Sequence, residues 1–113
     1  MAQITNRGSD EVIKLIENYT EPHPTWPGLG QWRVREHGVP IWALIGALVL
    51  DDAVPVEQSL SDDAQLLAML TDERALARVA REYDLSHESL TAAIAYYQRY
   101  KCHIDAKLLL NAA

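Results

Sequence analysis

A single cysteine, Cys102, is all the thiol chemistry the 113-residue chain carries. One cysteine forms no intrachain disulfide and no cysteine-rich zinc site, which fits a reducing cytoplasm. Positive charge is also scarce: ten Lys and Arg stand against sixteen Asp and Glu, a formal charge of −6. That balance repels nucleic acid and anionic membrane on average, so uniform phosphate binding is excluded. Long apolar runs are missing too. The longest, Val39 to Leu50, has twelve residues, whereas spanning a bilayer takes roughly twenty. Residues 1–10 contain no positive stretch followed by an apolar one, so no export signal is expected and the protein is placed in the cytoplasm. Internal repeats and low-complexity segments are absent as well.

The usual marks of catalysis are equally thin. There is no Gly-rich phosphate loop, and Asp51-Asp52 and Asp62-Asp63 sit where solvated loop and cap acids normally sit. Cys102 and His103 are adjacent, and adjacent helical positions point about 100° apart, so the pair makes a poor metal site. His23 and His37 are isolated, the latter a turn residue beside Gly38. The sequence therefore predicts no enzyme, no metal and no cofactor. What is present, 49% hydrophobic and 23% charged residues, suits one ordinary globular core.

Along the chain, Ser9-Asp10-Glu11 reads as a helix start, with Val12, Ile13, Leu15, Ile16 and Tyr19 behind it, ending near Thr20. Residues 21–30 hold Pro22, Pro24 and Pro27 with Gly28 and Gly30, a lead or draped loop. Gln31 to Ile41 interleaves Trp32, Val34, Val39 and Ile41 with polar residues around His37-Gly38, which suggests a small β-hairpin. Pro40 then launches Ile41 to Leu50, a helix apolar on every side and buried, with Trp42, Ile45 and Leu48 as candidate dimer-interface residues. Residues 51–71 contain a Pro55 break and a short helix capped by Ser61, Asp62 or Asp63 that runs through Leu66, Leu67 and Leu70. The expected organisation is an N-terminal helix and lead over residues 1–30 and a single domain over 31–113.

Thr71 to Tyr83 is amphipathic, since Leu76, Val79, Ala80 and Tyr83 recur at helical spacing. After Asp84-Leu85, Ser86 caps a last helix of twenty or more residues, with Leu90, Ala93, Ile94, Tyr97, Tyr100, Ile104 and Leu108 along one stripe. Val79 to Ile94 has the parts of a helix-turn-helix: Ala80 where the helices cross, Asp84 at the turn, Leu85 as a core plug and Ser86 as cap. Asp84 stands where glycine is usual. The leading end of the second helix would then expose His87, Glu88, Ser89, Thr91 and Ala92.

Charge is distributed unevenly. Residues 1–73 have four basic against twelve acidic residues, or −8, and residues 74–113 have six against four, or +2. Arg78 and Arg81 become candidate phosphate contacts, and Ser86, His87, Ser89 and Thr91 candidate groove contacts. A net +2 is slight, so a dimer is expected. The competing reading is that two helices joined by a capped turn build a protein–protein interaction module and touch no DNA.

The steps Arg33-Val34-Arg35-Glu36-His37-Gly38-Val39-Pro40-Ile41-Trp42, Val79 to Ile94, Ala95-Tyr96-Tyr97 and Ile104-Asp105-Ala106 resemble the domain of unknown function 433 family, over roughly residues 31–107. Many of its members are regarded as VapB-like antitoxins. The resemblance implies a mainly α fold: a homeodomain-like or winged three-helix unit behind a small β-hairpin, with residues 51–71 as an insertion. It also implies a dimeric antitoxin of a type II toxin-antitoxin pair that binds operator DNA, represses its own operon and neutralises a PIN-like ribonuclease toxin.

Trp26, Trp32 and Trp42 are assigned to core or interface, and Tyr96, Tyr97 and Tyr100 to packing with their hydroxyls at the surface. Lys107, Leu108, Leu109 and Leu110 exceed what one helix stripe buries and are the candidate partner-docking segment.

Overall fold

Proline and short polar side chains mark most of the helix starts. The computed structural model describes residues 2–51 and 53–112, with side chains described in 10–51 and 53–111. Seven helices and one two-stranded sheet account for most of the described residues, a mainly helical fold. No helix among them is long and apolar enough to cross a membrane.

Helix α1 covers Ala2–Tyr19, so Ser9 lies within the helix and does not cap it. It stops where the Thr20 hydroxyl turns back to donate to the Ile16 carbonyl at 2.6 Å. Strand β1, Thr20–Glu21, pairs antiparallel with β2, Arg33–Val34. Glu21 lies opposite Arg33, and its carboxylate accepts from the guanidinium at 2.7 Å, the favourable cross-strand arrangement of opposite charges. The expected hairpin is thus only half present. Its turn exists, with His37 and Gly38 at φ 60 and 64°, and the Val34 N–H donates to the Val39 carbonyl. Beyond that, one bridge, Arg33 to Pro40, is all that forms, because Pro40 has no N–H to extend a ladder. By pairing β1 with β2, the sheet ties α1 and the proline-rich lead to the segment that enters the central helix.

Helix α2, Ile41–Val49, starts directly after Pro40, which serves as its N-cap. It occupies the middle of the molecule, in contact with α4, α5, α6 and α7. Between α2 and the motif lie two helices where one was expected. Pro55 is the N-cap of α3, Val56–Ser61, while the Asp62 side chain caps α4, Asp63–Leu70, by accepting from the Gln65 N–H. Asp72 does the same for α5, Glu73–Glu82, through the Arg74 N–H.

The long final helix is also divided. Helix α6, His87–Arg99, ends at Tyr100, whose φ of −121 and ψ of 41° break the helical path before α7, Lys101–Ala112. A straight continuation would carry Ile104 and Leu108 away from the core. The bend returns both to the interior beside α2, where a Cβ on Gly46 would lie 3.2 Å from the Leu108 side chain. Polar contacts hold the corner: the Tyr97 hydroxyl donates to Asp105 at 2.7 Å, and the Lys101 ammonium bridges Asp105 and the Leu60 carbonyl.

Trp32, Tyr96 and Tyr100 pack in sequence, with ring centroids 5.3 and 4.7 Å apart. Tyr96 and Tyr97 are almost wholly buried, and their hydroxyls bond inside the protein, Tyr96 to the Leu29 carbonyl at 2.6 Å, not at the surface. Burial pushes both phenols well above the ordinary tyrosine range. Leu29–Gln31 forms a single 3-10 turn lying against α7, and a Cβ on Gly30 would come within 2.8 Å of the His103 carbonyl. Trp26 stands largely in solvent, outside both the core and any packed cluster.

Candidate nucleic-acid interface

The link between α5 and α6 is set by local backbone chemistry. The Asp84 N–H bonds to the Arg81 carbonyl and the Leu85 N–H to the Ala80 carbonyl, the two bonds of a Schellman motif, which needs a left-handed residue at its centre. Asp84 takes that conformation, φ 54°, and Leu85 then enters the core. The Ser86 hydroxyl accepts from the Ser89 N–H and caps α6. A helix, a tight turn, an apolar plug and a capped second helix therefore occur in the expected order. Because glycine carries no steric cost at positive φ, Asp84→Gly should leave stability unchanged or raise it by up to about 1 kcal/mol. Asp84→Val should lower it by about 1–2 kcal/mol; urea midpoints would check both.

A contact with no counterpart in the local sequence pattern fixes the turn from outside. Glu36, in the loop between β2 and α2, accepts from the Ser86 N–H at 2.6 Å, and His37 lies 3.4 Å from the Asp84 carboxylate. The hydrogen bond from the Ser86 N–H holds the Glu36 carboxyl below its usual range. A carboxylate whose folded value is depressed supplies stability above its unfolded pKa and loses it as pH falls through the folded value. Glu36→Gln should therefore destabilise the protein near neutral pH, and its difference from the parent should shrink on acidification. Denaturation midpoints between pH 7 and 3 would show this.

Of the residues expected to face DNA, the structure brings only some to the surface. Arg81, His87 and Thr91 are exposed. Arg81 has no ion pair among the described residues, and the Thr91 hydroxyl donates to the His87 carbonyl at 2.8 Å beside the His87 ring. Ser89 is only 2% exposed and Ala92 is fully buried. The Ser89 N–H is what Ser86 caps, and the following turn of α6 rotates Ala92 into the core, so neither reaches a groove. Ser86 is itself occupied by its cap bonds and by Glu36. Arg78 is exposed, but one end of its guanidinium donates to the Ala47 carbonyl at 3.0 Å and the other lies 3.8 Å from Glu82. Its first task is to cap the C-terminal end of α2.

The charge count also reads differently in three dimensions. From Glu73 to Thr91 there are three arginines against four acids, Glu73, Glu82, Asp84 and Glu88. Arg99, Lys101 and Lys107, which made the C-terminal part basic, lie at the far end of α6 and on α7.

The candidate interface residues on α2 and α7 also shift. Ile45 is 0% and Leu48 7% exposed, enclosed by helices of their own subunit, so neither offers surface to a second copy. Trp42 keeps a partly open face, with the Lys107 ammonium 5.8 Å from its ring centroid. Leu108, 3% exposed, completes the core and leaves the docking segment, whereas Leu109 and Leu110 remain exposed, Leu110 at 75%.

Comparison with protein-family models, with curated proteins and with solved structures finds no match for this chain.

Proposed function

We propose that the protein is a DNA-binding regulator of the antitoxin type, addressing its operator with the leading end of α6. The observation that carries this reading is the α5–α6 turn itself: left-handed Asp84, buried Leu85 and capping Ser86 start α6 so that His87 and Thr91 stay exposed at its leading end. The contact set is smaller than the sequence suggests: Arg81 for phosphate, His87 and Thr91 for the groove. The antitoxin part, repression of its own operon and capture of a PIN-like ribonuclease, rests on the resemblance over residues 31–107. Leu109 and Leu110 are the surface it leaves for such a partner.

A second reading, an interaction module without DNA binding, is favoured by Glu82, Asp84 and Glu88 around the same turn, which repel phosphate. A gel-shift titration on the fragment directly upstream of the coding sequence, at about 50 and 200 mM salt with scrambled competitor, separates the two. Specific binding that weakens with salt, with a slope of few charges, supports the regulator. No shift at low salt supports the module.

A further inference from the structure

A sizeable apolar hollow lies away from the turn, between α1, the small sheet and the end of α6. Its volume is about 420 Å³, within the range of small-molecule sites. Ile13 and Ile16 of α1 form one wall and the rings of Trp32 and Tyr100 another, with Arg35 and Arg99 also lining it. The aromatic wall is held rigidly, since both rings pack on buried Tyr96.

The two guanidiniums are not equivalent. Arg35 is partly committed: it donates to the Glu17 carbonyl at 3.2 Å and lies 3.4 Å from Glu21, whose other oxygen already serves Arg33. Arg99 has no carboxylate or hydrogen-bond partner among the described residues. Glu17 also lines the hollow. With the Arg33–Glu21 pair counted alongside, three cations against two acids leave a local excess near one positive charge, which suits a monoanion better than a phosphate dianion.

We propose that this hollow binds a small amphipathic carboxylate, its apolar body against Trp32, Tyr100 and the α1 isoleucines and its carboxylate on Arg99 and Arg35. A planar guanidinium fork pairs with a carboxylate through two parallel hydrogen bonds, and an aromatic wall accepts a ring or a short aliphatic chain. The site is separate from the α5–α6 turn, none of whose residues line it.

Isothermal titration of the full chain with phenylacetate and with hexanoate tests the assignment, with neutral phenylacetamide as control and Arg99→Gln as the variant. Arg99 is exposed, so the substitution should leave the helical circular dichroism signal intact. The expected result is saturable one-to-one binding of at least one carboxylate, weakened at least tenfold for the amide and for Arg99→Gln. Absence of saturable carboxylate binding, an amide that binds as tightly, or an unaffected Arg99→Gln would each overturn the proposal.

Discussion

Ile45→Ala should lower the unfolding free energy by about 2–5 kcal/mol, with the denaturant midpoint falling and the slope unchanged. Ile45 sits in the centre of α2 with no exposed surface, and Leu44, Leu48 and Val49 belong to the same buried cluster. Truncation removes three carbons from that packing and leaves a cavity that neighbours on several helices fill only in part. The sedimentation coefficient of the folded variant should match the parent's. A variant of unaltered stability but altered mass would return Ile45 to an interface between subunits and contradict the arrangement of α2 described above.

If the protein is the proposed DNA-binding regulator, Arg81→Glu should weaken operator binding about 10- to 100-fold at about 50 mM salt, the loss of one charge-assisted contact of about 1.5–3 kcal/mol together with added repulsion. The salt slope should fall by about one. Arg78→Ala provides the contrast. Because Arg78 caps the Ala47 carbonyl, its removal should cost about 1 kcal/mol of stability and change DNA affinity little. Equal losses of affinity in the two variants would mean that Arg78 leaves α2 to reach phosphate, and that the structural division between the two arginines is wrong.

The α5–α6 helix pair and the turn between them were legible because everything that makes them is local. Ala80, Asp84, Leu85 and Ser86 lie close together in the chain, and caps, left-handed turns and amphipathic spacing are short-range signals. Asp62 and the Pro40 boundary were legible for the same reason. The corner at Tyr100 was not: no glycine, proline or cap marks it, and the bend is set by Ile104 and Leu108 returning to α2 and by Asp105 meeting Tyr97. The contact between Glu36 and the Ser86 N–H was equally hidden, since the two are 50 residues apart and a loop glutamate has no local signature of such a role.

The site residues divide along the same line. A serine three positions after an N-cap is as compatible with an open groove face as with a buried one, and only the approach of neighbouring elements buries Ser89. A helix apolar on all sides fits a subunit interface or an interior equally well. Here enough helices surround α2 to make it interior, which moves Ile45 and Leu48 from interface to core. Basic residues counted along the chain suggested a positive motif, yet Arg99, Lys101 and Lys107 are carried elsewhere by the path of α6 and α7.

If DNA meets the protein at Arg81, His87 and Thr91, its footprint should be visible residue by residue. Amide and side-chain NMR shifts of the labelled protein, followed while the upstream DNA fragment is added at low salt, give that footprint. The largest perturbations are expected on residues 81–91, with α7 and the Trp32–Tyr100 hollow nearly silent. Perturbations centred on α7, or none along the leading end of α6, would place the DNA elsewhere and overturn the proposed function.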